Sequence, residues 1–278
     1  MKKVIIVCLL CISSLMLAKE PVKALIVTGQ NNHNWKDSHL ILQKILNESG
    51  VFTTDLAISP SQGQDMSNFL PNFSAYQVIV LDYNGDAWPK ATNDAFLNFV
   101  KNGGGVVVYH AADNAFRNWK EYNEIIGLGG WENRNETDGP YVYYKDGKLV
   151  RDNTPGPGGS HGQQHEYKVE VRMKNHPIMK GLPESFVHSQ DELYDKMRGP
   201  ALNMTILATA FSAKITGGTG RDEPVLWTVN WGKGKIFHTV LGHVGGEKEH
   251  PAIDSWFTLT LLRGAEWAAT GKVTQIKN

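Results

Sequence analysis

Cysteine is almost absent from this sequence of 278 residues. Both cysteines, Cys8 and Cys11, lie in an apolar run near the N-terminus, and none follows them. A chain without further cysteines forms no disulfide framework and has no thiol nucleophile. Histidine and carboxylate side chains are therefore the metal ligands that such a chain can offer.

The sequence also lacks an excess of charge and the common phosphate-binding motifs. Lysine plus arginine number 28, as do aspartate plus glutamate, so nucleic acid is a disfavoured partner. Neither G-x-G-x-x-G nor G-x-x-x-x-G-K-[ST] occurs, and "NGGG" at 102–105 precedes a predicted strand, whereas a phosphate loop follows one. We therefore expect no nucleotide cofactor.

The N-terminal segment "MKKVIIVCLLCISSLMLAKE" predicts a signal peptide. Two lysines precede an apolar run that is too short for a comfortable membrane span and ends near Ala18. We expect residues 1–18 to be removed and the mature protein, beginning near Lys19, to be periplasmic or secreted. An uncleaved anchor is the alternative, because Met16 occupies a position where signal peptidases prefer a small residue.

Strands and helices alternate over the first half of the remaining chain. The runs "VKALIVTG", "VFTTDLAI", "YQVIVLDYNG" and "VVVYHAAD" are apolar and β-branched, as is typical of buried strands. Two intervening segments, "DSHLILQKILNESG" and "PKATNDAFLNFVKNGGG", carry apolar residues at helical spacing and end in glycine. This alternation predicts right-handed βαβ units and an α/β fold with a parallel sheet.

The second half of the chain is less regular. Residues 127–162 predict a long insertion with a hairpin, "YVYYKDGKLV", about an Asp-Gly turn. "PVLWTVNWGKGKIFHTVLGH" predicts an antiparallel edge pair of strands, and a helix is predicted from Ile253 to about Ala269, with Gly271 behind it. Because no repeat or linker interrupts the pattern, we predict one domain over residues 19–278.

Several histidines follow predicted strands. His33 comes after the first strand, His110 after the fourth and His243 after the last, while His161 lies in a long glycine-rich loop. Strand ends of a parallel sheet meet at one edge, so these side chains are expected to share a crevice. We expect His110 to face solvent. Three carboxylates are expected at similarly exposed positions: Asp113, Asp191 and Glu192.

Such a cluster favours a divalent metal, because zinc, manganese and iron accept imidazole and carboxylate ligands. The predicted metal ligands are His110, His161 and His243. Their spacing is not that of a known zinc motif, and a single histidine is more often structural than a ligand. Acid/base roles for the same histidines therefore stay open.

Tryptophans lie beside Gly, Asn or Asp in predicted loops, as at Trp88 and Trp119. Aromatic faces in polar loops suit sugar rings, although packing is the more common role of tryptophan. The candidate substrate-binding residues are Asn32, His33, Tyr83, Asn84, Asp113 and Trp119.

Six segments together resemble the trehalose-utilisation (ThuA-like) family: "VTGQNNHNW", "NGGGVVVYHAAD", "HGQQHEYKVEV", "NHPIMKGLP", "DELYD" and "GKGKIFHTVLGH". They run in family order from about Val22 to Trp267. The resemblance implies a flavodoxin-like three-layer sandwich of the class I glutamine amidotransferase-like superfamily. Amidotransferases place a cysteine at the strand end where this chain has His110, so glutaminase chemistry is excluded. The same resemblance matches four residues to recurring polar positions: His110, His161, Glu192 and His243.

The resemblance also implies a substrate class, oxidised sugars and in particular 3-keto-glycosides made by a partner dehydrogenase. A ketone at carbon 3 acidifies the neighbouring C–H bond, so a histidine or carboxylate base can remove that proton while a metal or imidazolium stabilises the enolate. Elimination, net hydrolysis and isomerisation are all compatible with this step. We expect His110 and Glu192 to be the catalytic residues.

Two alternatives to an enzyme stay open. One is a non-catalytic carbohydrate-binding protein, and the other is a structural partner of a sugar dehydrogenase. Metal content and turnover of a 3-keto-glycoside distinguish the enzyme from both. The sequence indicates a small-molecule carbohydrate as the partner and no particular oligomeric state.

Overall fold

The computed structural model describes residues 20–246 and 248–275, so the predicted signal peptide lies outside the described residues. The helices are α1 (Trp35–Glu48), α2 (Lys90–Lys101), α3 (Lys120–Ile126) and α4 (Ser255–Thr270). The strands are β1 (Val22–Thr28), β2 (Phe52–Ile58), β3 (Val78–Leu81), β4 (Gly105–Tyr109), β5 (Tyr141–Lys145), β6 (Lys148–Asp152), β7 (Ser160–His161), β8 (His165–Val171), β9 (Ser185–Asp191), β10 (Tyr194–Asp195), β11 (Met204–Ser212), β12 (Arg221–Trp231) and β13 (Gly234–Thr239).

The main sheet has the strand order β2-β1-β3-β4-β13-β12-β11-β8-β9. The strands from β2 through β13 in this order run parallel. Antiparallel strands from β12 to β9 extend the sheet beyond them. The predicted α/β fold with a mainly parallel central sheet is confirmed.

Helices cover both faces of the parallel strands. Strands β3 (VIVL) and β4 (GVVVY) are buried along their whole length, which explains why they consist almost entirely of β-branched and apolar residues. A side chain at Gly104 would strike Phe99 of α2, whereas one at Gly105 would strike α4 at Ala268. Because successive strand residues point to opposite faces, α2 and α4 lie on opposite sides of the sheet.

Strands β12 and β13 are antiparallel neighbours, as predicted, but they do not form an edge pair. Strand β13 lies between β4 and β12, and β12 continues to β11. The prediction of an edge pair was wrong. The spacing of apolar residues indicates which face of a strand is buried, but it does not indicate which strands are its neighbours.

Two short strand pairings hold the irregular second half of the chain in place. The predicted hairpin is formed by β5 and β6, and its turn residues Asp146 and Gly147 have positive φ angles of 51° and 72°, as a tight hairpin turn requires. Strand β7 pairs with β10 and places His161 opposite Tyr194. The glycine-rich loop is thereby held beside the segment that follows β9.

The C-terminal helix ends as predicted, since Gly271 follows α4 with a φ of 73°. Among the described residues, no helix combines the length and apolar character needed to cross a membrane. The prediction of one domain over residues 19–278 includes residues outside the described ranges and stays a prediction.

Candidate functional site at the carboxyl edge of the sheet

Histidines follow the parallel strands at the edge where those strands end. His33 comes after β1, His110 directly after β4, and His243 after β13. The carboxyl ends of parallel strands meet in space. The structure brings the three imidazole rings into mutual contact, with ring centroids 4.8 to 5.5 Å apart.

His110 is the first residue of a 3₁₀ helix, His110–Asn114, that follows β4 directly. Its φ of 45° is left-handed, a conformation that costs a residue with a side chain about 1–3 kcal/mol. The Nδ1 atom lies 2.6 Å from the carbonyl oxygen of Val240, and the Tyr194 hydroxyl lies 3.0 Å from Nε2. His110 is only 2% exposed. The expectation that it faces solvent is therefore wrong, because Val240 and Tyr194 pack against it.

One carboxylate, that of Glu192, lies at the centre of the cluster. Its Oε2 atom is 3.5 Å from Nε2 of His33 and 3.7 Å from Nε2 of His110. Its Oε1 atom is 3.4 Å from Nε2 of His243 and 3.8 Å from Nε2 of His161. Glu192 is buried by these rings, contrary to the expectation that it is exposed. The structure thus brings the three histidines predicted as metal ligands to one carboxylate and adds His33 to them.

Hydrogen bonds at the outer ring nitrogens orient two of these imidazoles. Nδ1 of His110 and Nδ1 of His161 lie 2.6 and 2.8 Å from backbone carbonyl oxygens. A carbonyl oxygen only accepts, so each Nδ1 carries a proton and each ring turns its Nε2 atom toward Glu192. Lone pairs and a carboxylate repel unless a proton or a cation lies between them. Histidines that bind metals are oriented by outer-nitrogen hydrogen bonds of this kind.

The ionisation of the cluster reflects competition between burial and charge. Burial acts to raise the pKa of Glu192, but hydrogen bonds with His110 and His33 outweigh it and hold that pKa well below its usual range. Burial lowers the pKa of His33. It acts in the same direction on His110, but Glu192 and the charge of Asp191 outweigh it and raise the pKa of His110. The cluster therefore combines an ionised Glu192 carboxylate with two different imidazoles. The His33 ring resists protonation, whereas the His110 ring favours it.

The donor atoms fit a divalent cation. His33, His110 and Glu192 each offer one ligand atom, and these atoms lie within 4.8 Å of one another. Two histidines and one glutamate form a ligand set that zinc accepts in catalytic sites while leaving a position open. The Tyr194 hydroxyl lies 3.0 Å from Nε2 of His110, so metal binding at that nitrogen requires the hydroxyl to turn away.

Asp191 holds the backbone on both sides of the cluster. Its carboxylate accepts the N–H groups of Glu192 and Gly242, each at 2.7 Å, and lies 3.2 Å from the N–H of His243. The chain after β9 and the chain after β13 are thereby tied to one side chain. The expectation that Asp191 is exposed is wrong, because these N–H groups enclose it.

His188 lies behind Asp191 and joins it to helix α4. Nε2 of His188 is 2.7 Å from Asp191, and Nδ1 is 2.9 Å from Asp254. Burial favours the neutral ring, but the two carboxylates outweigh it and raise the pKa of His188 to about 9. Asp254 also caps α4 by accepting the N–H of Phe257. The sequence contained no signal for this network, because His188 and Asp254 are 66 residues apart.

A cavity of about 630 Å³ is connected with the cluster through the Asn84 side chain in its wall. Its walls come from the loop after β3, from residues 114–119 and from Glu132 and Asn133 in the insertion. Asn84 in the first wall donates to Oδ1 of Asn32 at 2.8 Å, and that oxygen is 3.2 Å from Nδ1 of His33. One amide group therefore connects the cavity wall with the cluster. We refer to this space as the side cavity.

The predicted substrate-binding residues divide into two groups. Four lie at the cluster or the side cavity: Asn32, His33, Asn84 and Trp119. The other two, Tyr83 and Asp113, are fully buried. The Tyr83 hydroxyl donates to the carbonyl of Asp86, and Asp113 faces Nε2 of His238 at 3.4 Å. The expected exposure of Asp113 is wrong, and we leave both residues out of the proposed site.

The sequence "GGSHG" at Gly158–Gly162 matches the G-x-S-x-G motif of serine hydrolases. In the structure Ser160 lies in the short strand β7, and its hydroxyl donates to the carboxylate of Asp195. A hydrolase nucleophile stands on a turn between a strand and a helix. The match therefore does not form such a site.

Comparisons with known proteins identify the family. No curated protein shows a significant match to this chain. A crystal structure of a ThuA-like protein from Parabacteroides merdae ATCC 43184 is 59% identical, with a TM-score of 0.91 and 93% of each chain covered. A ThuA-like protein from Bacteroides uniformis ATCC 8492 is 24% identical, with a TM-score of 0.59, and the match covers 92% of this chain and 95% of that one. The second likeness shows the fold alone. The sequence model of the trehalose-utilisation family, ThuA, matches residues 23–268, and the chain therefore belongs to that family.

Proposed function

We propose that this chain is a carbohydrate-processing enzyme that acts on an oxidised, 3-keto sugar or glycoside at the histidine and glutamate cluster. The observation that carries the proposal is the convergence of four imidazoles on the Glu192 carboxylate. The adjacent side cavity, lined by tryptophan and asparagine side chains, supports a sugar as the ligand. The family's description, trehalose utilisation, supports the same substrate class.

We assign a divalent metal, of the zinc, manganese or iron type, to His33, His110 and Glu192. When bound there, the metal supplies Lewis-acid stabilisation of a carbonyl oxygen. His161 and His243 are, with His110, the metal ligands that the sequence predicts, and acid/base roles for them are the alternative. They face the other oxygen of Glu192, and we assign them to proton transfer.

His161 is suited to accept a proton. Its Nδ1 donates to the Gly162 carbonyl, so Nε2 carries a lone pair, and its side chain is 36% exposed, compared with 11% for Glu192. A ketone at carbon 3 of a sugar makes the C–H bond at carbon 2 acidic. His161 takes that proton, and the electron pair of the broken bond passes to the ketone oxygen to form an enolate.

His243 is suited to donate a proton. The side-chain amide nitrogen of Gln164 lies 3.3 Å from Nδ1 of His243 and donates to it, so Nε2 carries the hydrogen. When the enolate electron pair returns to form the double bond between carbons 1 and 2, the glycosidic C–O bond breaks and the leaving oxygen takes this proton. Water added at carbon 1 then gives net hydrolysis. When the glycosidic oxygen is kept, return of the proton to the opposite face of carbon 2 gives epimerisation. Protonation at carbon 3 of the same enediol, with loss of the hydroxyl proton at carbon 2, moves the ketone to carbon 2 and gives isomerisation.

The test is turnover of a 3-keto-glycoside by wild type, His161→Gln and His165→Gln. His161 ends β7 and His165 begins β8. The His165 ring hydrogen-bonds to the Gln163 carbonyl, so His165 serves as the matched control. We expect His161→Gln to lose roughly a hundredfold or more in kcat, the usual scale for a positioned acid/base group, and His165→Gln to keep the wild-type rate. Circular dichroism verifies that each variant is folded.

Two results would count against the proposal. A folded His161→Gln that turns over at the wild-type rate removes His161 from the chemistry. Wild type that fails on every 3-keto-glycoside, with and without added zinc, manganese or iron, favours the non-catalytic carbohydrate-binding protein or the dehydrogenase partner.

We also propose that the protein acts outside the cytoplasm and downstream of a sugar dehydrogenase. The support for export is the pair of lysines followed by an apolar run in residues 1–18. The support for the dehydrogenase is chemical, because a ketone at carbon 3 arises by oxidation of the sugar hydroxyl.

A further inference from the structure

Two carboxamides in the wall of the side cavity have a buried oxygen without a hydrogen-bond partner among the described residues. Oδ1 of Asn93, in α2, and Oδ1 of Asn114, at the end of the 3₁₀ helix, are both unpaired among the described residues. Both residues line the cavity, and Asn114 is only 4% exposed. Native proteins seldom leave buried polar atoms unpaired. These two carboxamides therefore leave unused hydrogen-bonding capacity in the cavity wall, which a polar ligand can use once the side chain turns its oxygen toward the cavity.

Aromatic rings form another wall of the side cavity. Trp88, Phe116 and Trp119 line it. The Phe116 ring lies 5.1 Å from Trp88 and 5.6 Å from Trp119, measured between centroids. Trp119 is half-buried, so part of its ring is accessible from the cavity. A ligand for this space therefore needs an apolar face as well as polar groups.

The charges on the walls disfavour an anion. Asp86 and Glu132 line the cavity, and the positive charge of Arg117 is paired with Asp138 at 3.0 Å. A phosphate or carboxylate group on a ligand would face these two acidic side chains without a free cation from Arg117. The wall chemistry favours a neutral ligand.

The wall formed by the insertion is held in place before any ligand binds. Residues Trp131–Asn133 have left-handed φ angles of 53°, 49° and 60°, which side-chain-bearing residues adopt only when their surroundings enforce it. The guanidinium of Arg134 enforces it by donating to the carbonyls of Gly130, Asn114 and Ala115. These hydrogen bonds of Arg134 join the insertion to the segment that carries Asn114. Little ordering is therefore needed when a ligand enters.

We propose that the side cavity is a subsite for one neutral, hydroxyl-rich ring such as a pyranose. A sugar hydroxyl both donates and accepts, so it pairs with the carboxamides of Asn93 and Asn114 in either amide orientation. The apolar face of a pyranose packs on Trp119. The volume of about 630 Å³ lies within the range of roughly 300–1,000 Å³ that is typical of small-molecule sites. The identity of the ring as a sugar rests on the proposed function.

The test measures binding of sugars that carry no ketone, so it does not depend on turnover. Calorimetry is carried out with cellobiose, methyl β-glucopyranoside and glucose 6-phosphate. The variants are Asn93→Leu and Asn114→Leu, and the matched control is Asn98→Leu, on the same helix as Asn93 and outside the side cavity. We expect the two neutral sugars to bind and the phosphorylated sugar to bind at least tenfold more weakly.

Each cavity variant is expected to weaken sugar binding about tenfold, because one hydrogen bond to the ligand is lost. Its thermal stability is expected to stay the same or rise, because the replaced amide oxygen has no partner in the part of the chain that the structure describes. If an asparagine had a merely structural role, its replacement would lower thermal stability and leave sugar binding unchanged. Asn98→Leu is expected to leave sugar binding unchanged.

The proposal is overturned if neither neutral sugar binds, if both cavity variants bind as wild type does, or if glucose 6-phosphate binds as tightly as the neutral sugars. Two variants are used because they lie on separate elements, so misfolding of one leaves the other informative. If wild type binds cellobiose but turns over no 3-keto-glycoside, the result counts against the proposed function and leaves the proposed subsite standing.

Discussion

His188 offers a sensitive test of the electrostatics behind the cluster, because its buried imidazole lies between two carboxylates. It is 2.7 Å from Asp191 and 2.9 Å from Asp254, and its side chain has no exposed surface. Glutamine at this position keeps hydrogen-bonding capacity but cannot carry the positive charge. We therefore expect His188→Gln to destabilise the protein at neutral and mildly acidic pH.

The magnitude follows from the pKa. Asp191 and Asp254 outweigh the effect of burial and raise the pKa of His188 to about 9, compared with about 6.5 for an unfolded histidine. Each tenfold change in proton affinity corresponds to about 1.4 kcal/mol, so the imidazolium contributes about 3 kcal/mol to folding. Because the folded pKa is raised, this contribution is fully present below the unfolded pKa and is lost as the pH rises through about 9.

The assay is urea denaturation of wild type and His188→Gln from about pH 6 to about pH 10. The difference in free energy of unfolding between the two proteins is expected to shrink by about 3 kcal/mol over this range, since wild type loses its imidazolium and the variant has none to lose. His165→Gln is the control, because its ring hydrogen-bonds to a backbone carbonyl. A difference that stays constant over the whole range would show that His188 is neutral in the folded protein and would refute the reasoning.

Glu192→Gln is expected to lose stoichiometric binding of zinc or manganese, measured by elemental analysis after dialysis, whereas His165→Gln keeps it; metal retained by Glu192→Gln would remove that residue from the ligand set. His110→Ala is expected to abolish turnover. It is also expected to lower the free energy of unfolding by about 1–3 kcal/mol, because the Val240 carbonyl and the Tyr194 hydroxyl lose their buried partner. An unchanged urea midpoint would contradict the burial argument. Exported protein is expected to lack residues 1–18, and mass spectrometry that finds the initiator methionine on soluble exported protein would contradict this.

Local structure was predictable because it depends on neighbouring residues. Apolar β-branched runs identified β1, β3 and β4, since buried parallel strands have both faces covered. Gly271 marked the end of α4, because a glycine adopts the left-handed conformation at a helix end without steric cost. The Asp146-Gly147 turn likewise marked the β5–β6 hairpin.

The candidate site was predictable in part. His110 and His243 each follow a strand of the parallel sheet, and the rule that such strand ends converge brings them together. The placement of Glu192 at the centre of the cluster came only with the structure, because Glu192 follows an antiparallel strand far from β4 in the chain. The burial of His110 was missed, because Tyr194 and Val240 cover it from distant parts of the sequence.

By itself, the sequence determined the alternation of strands and helices, the turns, and the absence of any thiol chemistry in residues 19–278. Those properties depend on composition and on short-range steric preferences, which act within a few residues of chain. Only the tertiary structure decided that β13 lies beside β4, that four imidazoles surround one carboxylate, and that Asp191 and His188 support them from behind. The physical reason is that hydrogen bonds, ion pairs and burial at this edge join residues tens to more than a hundred positions apart, and their strength depends on distances and solvent access that no local pattern encodes.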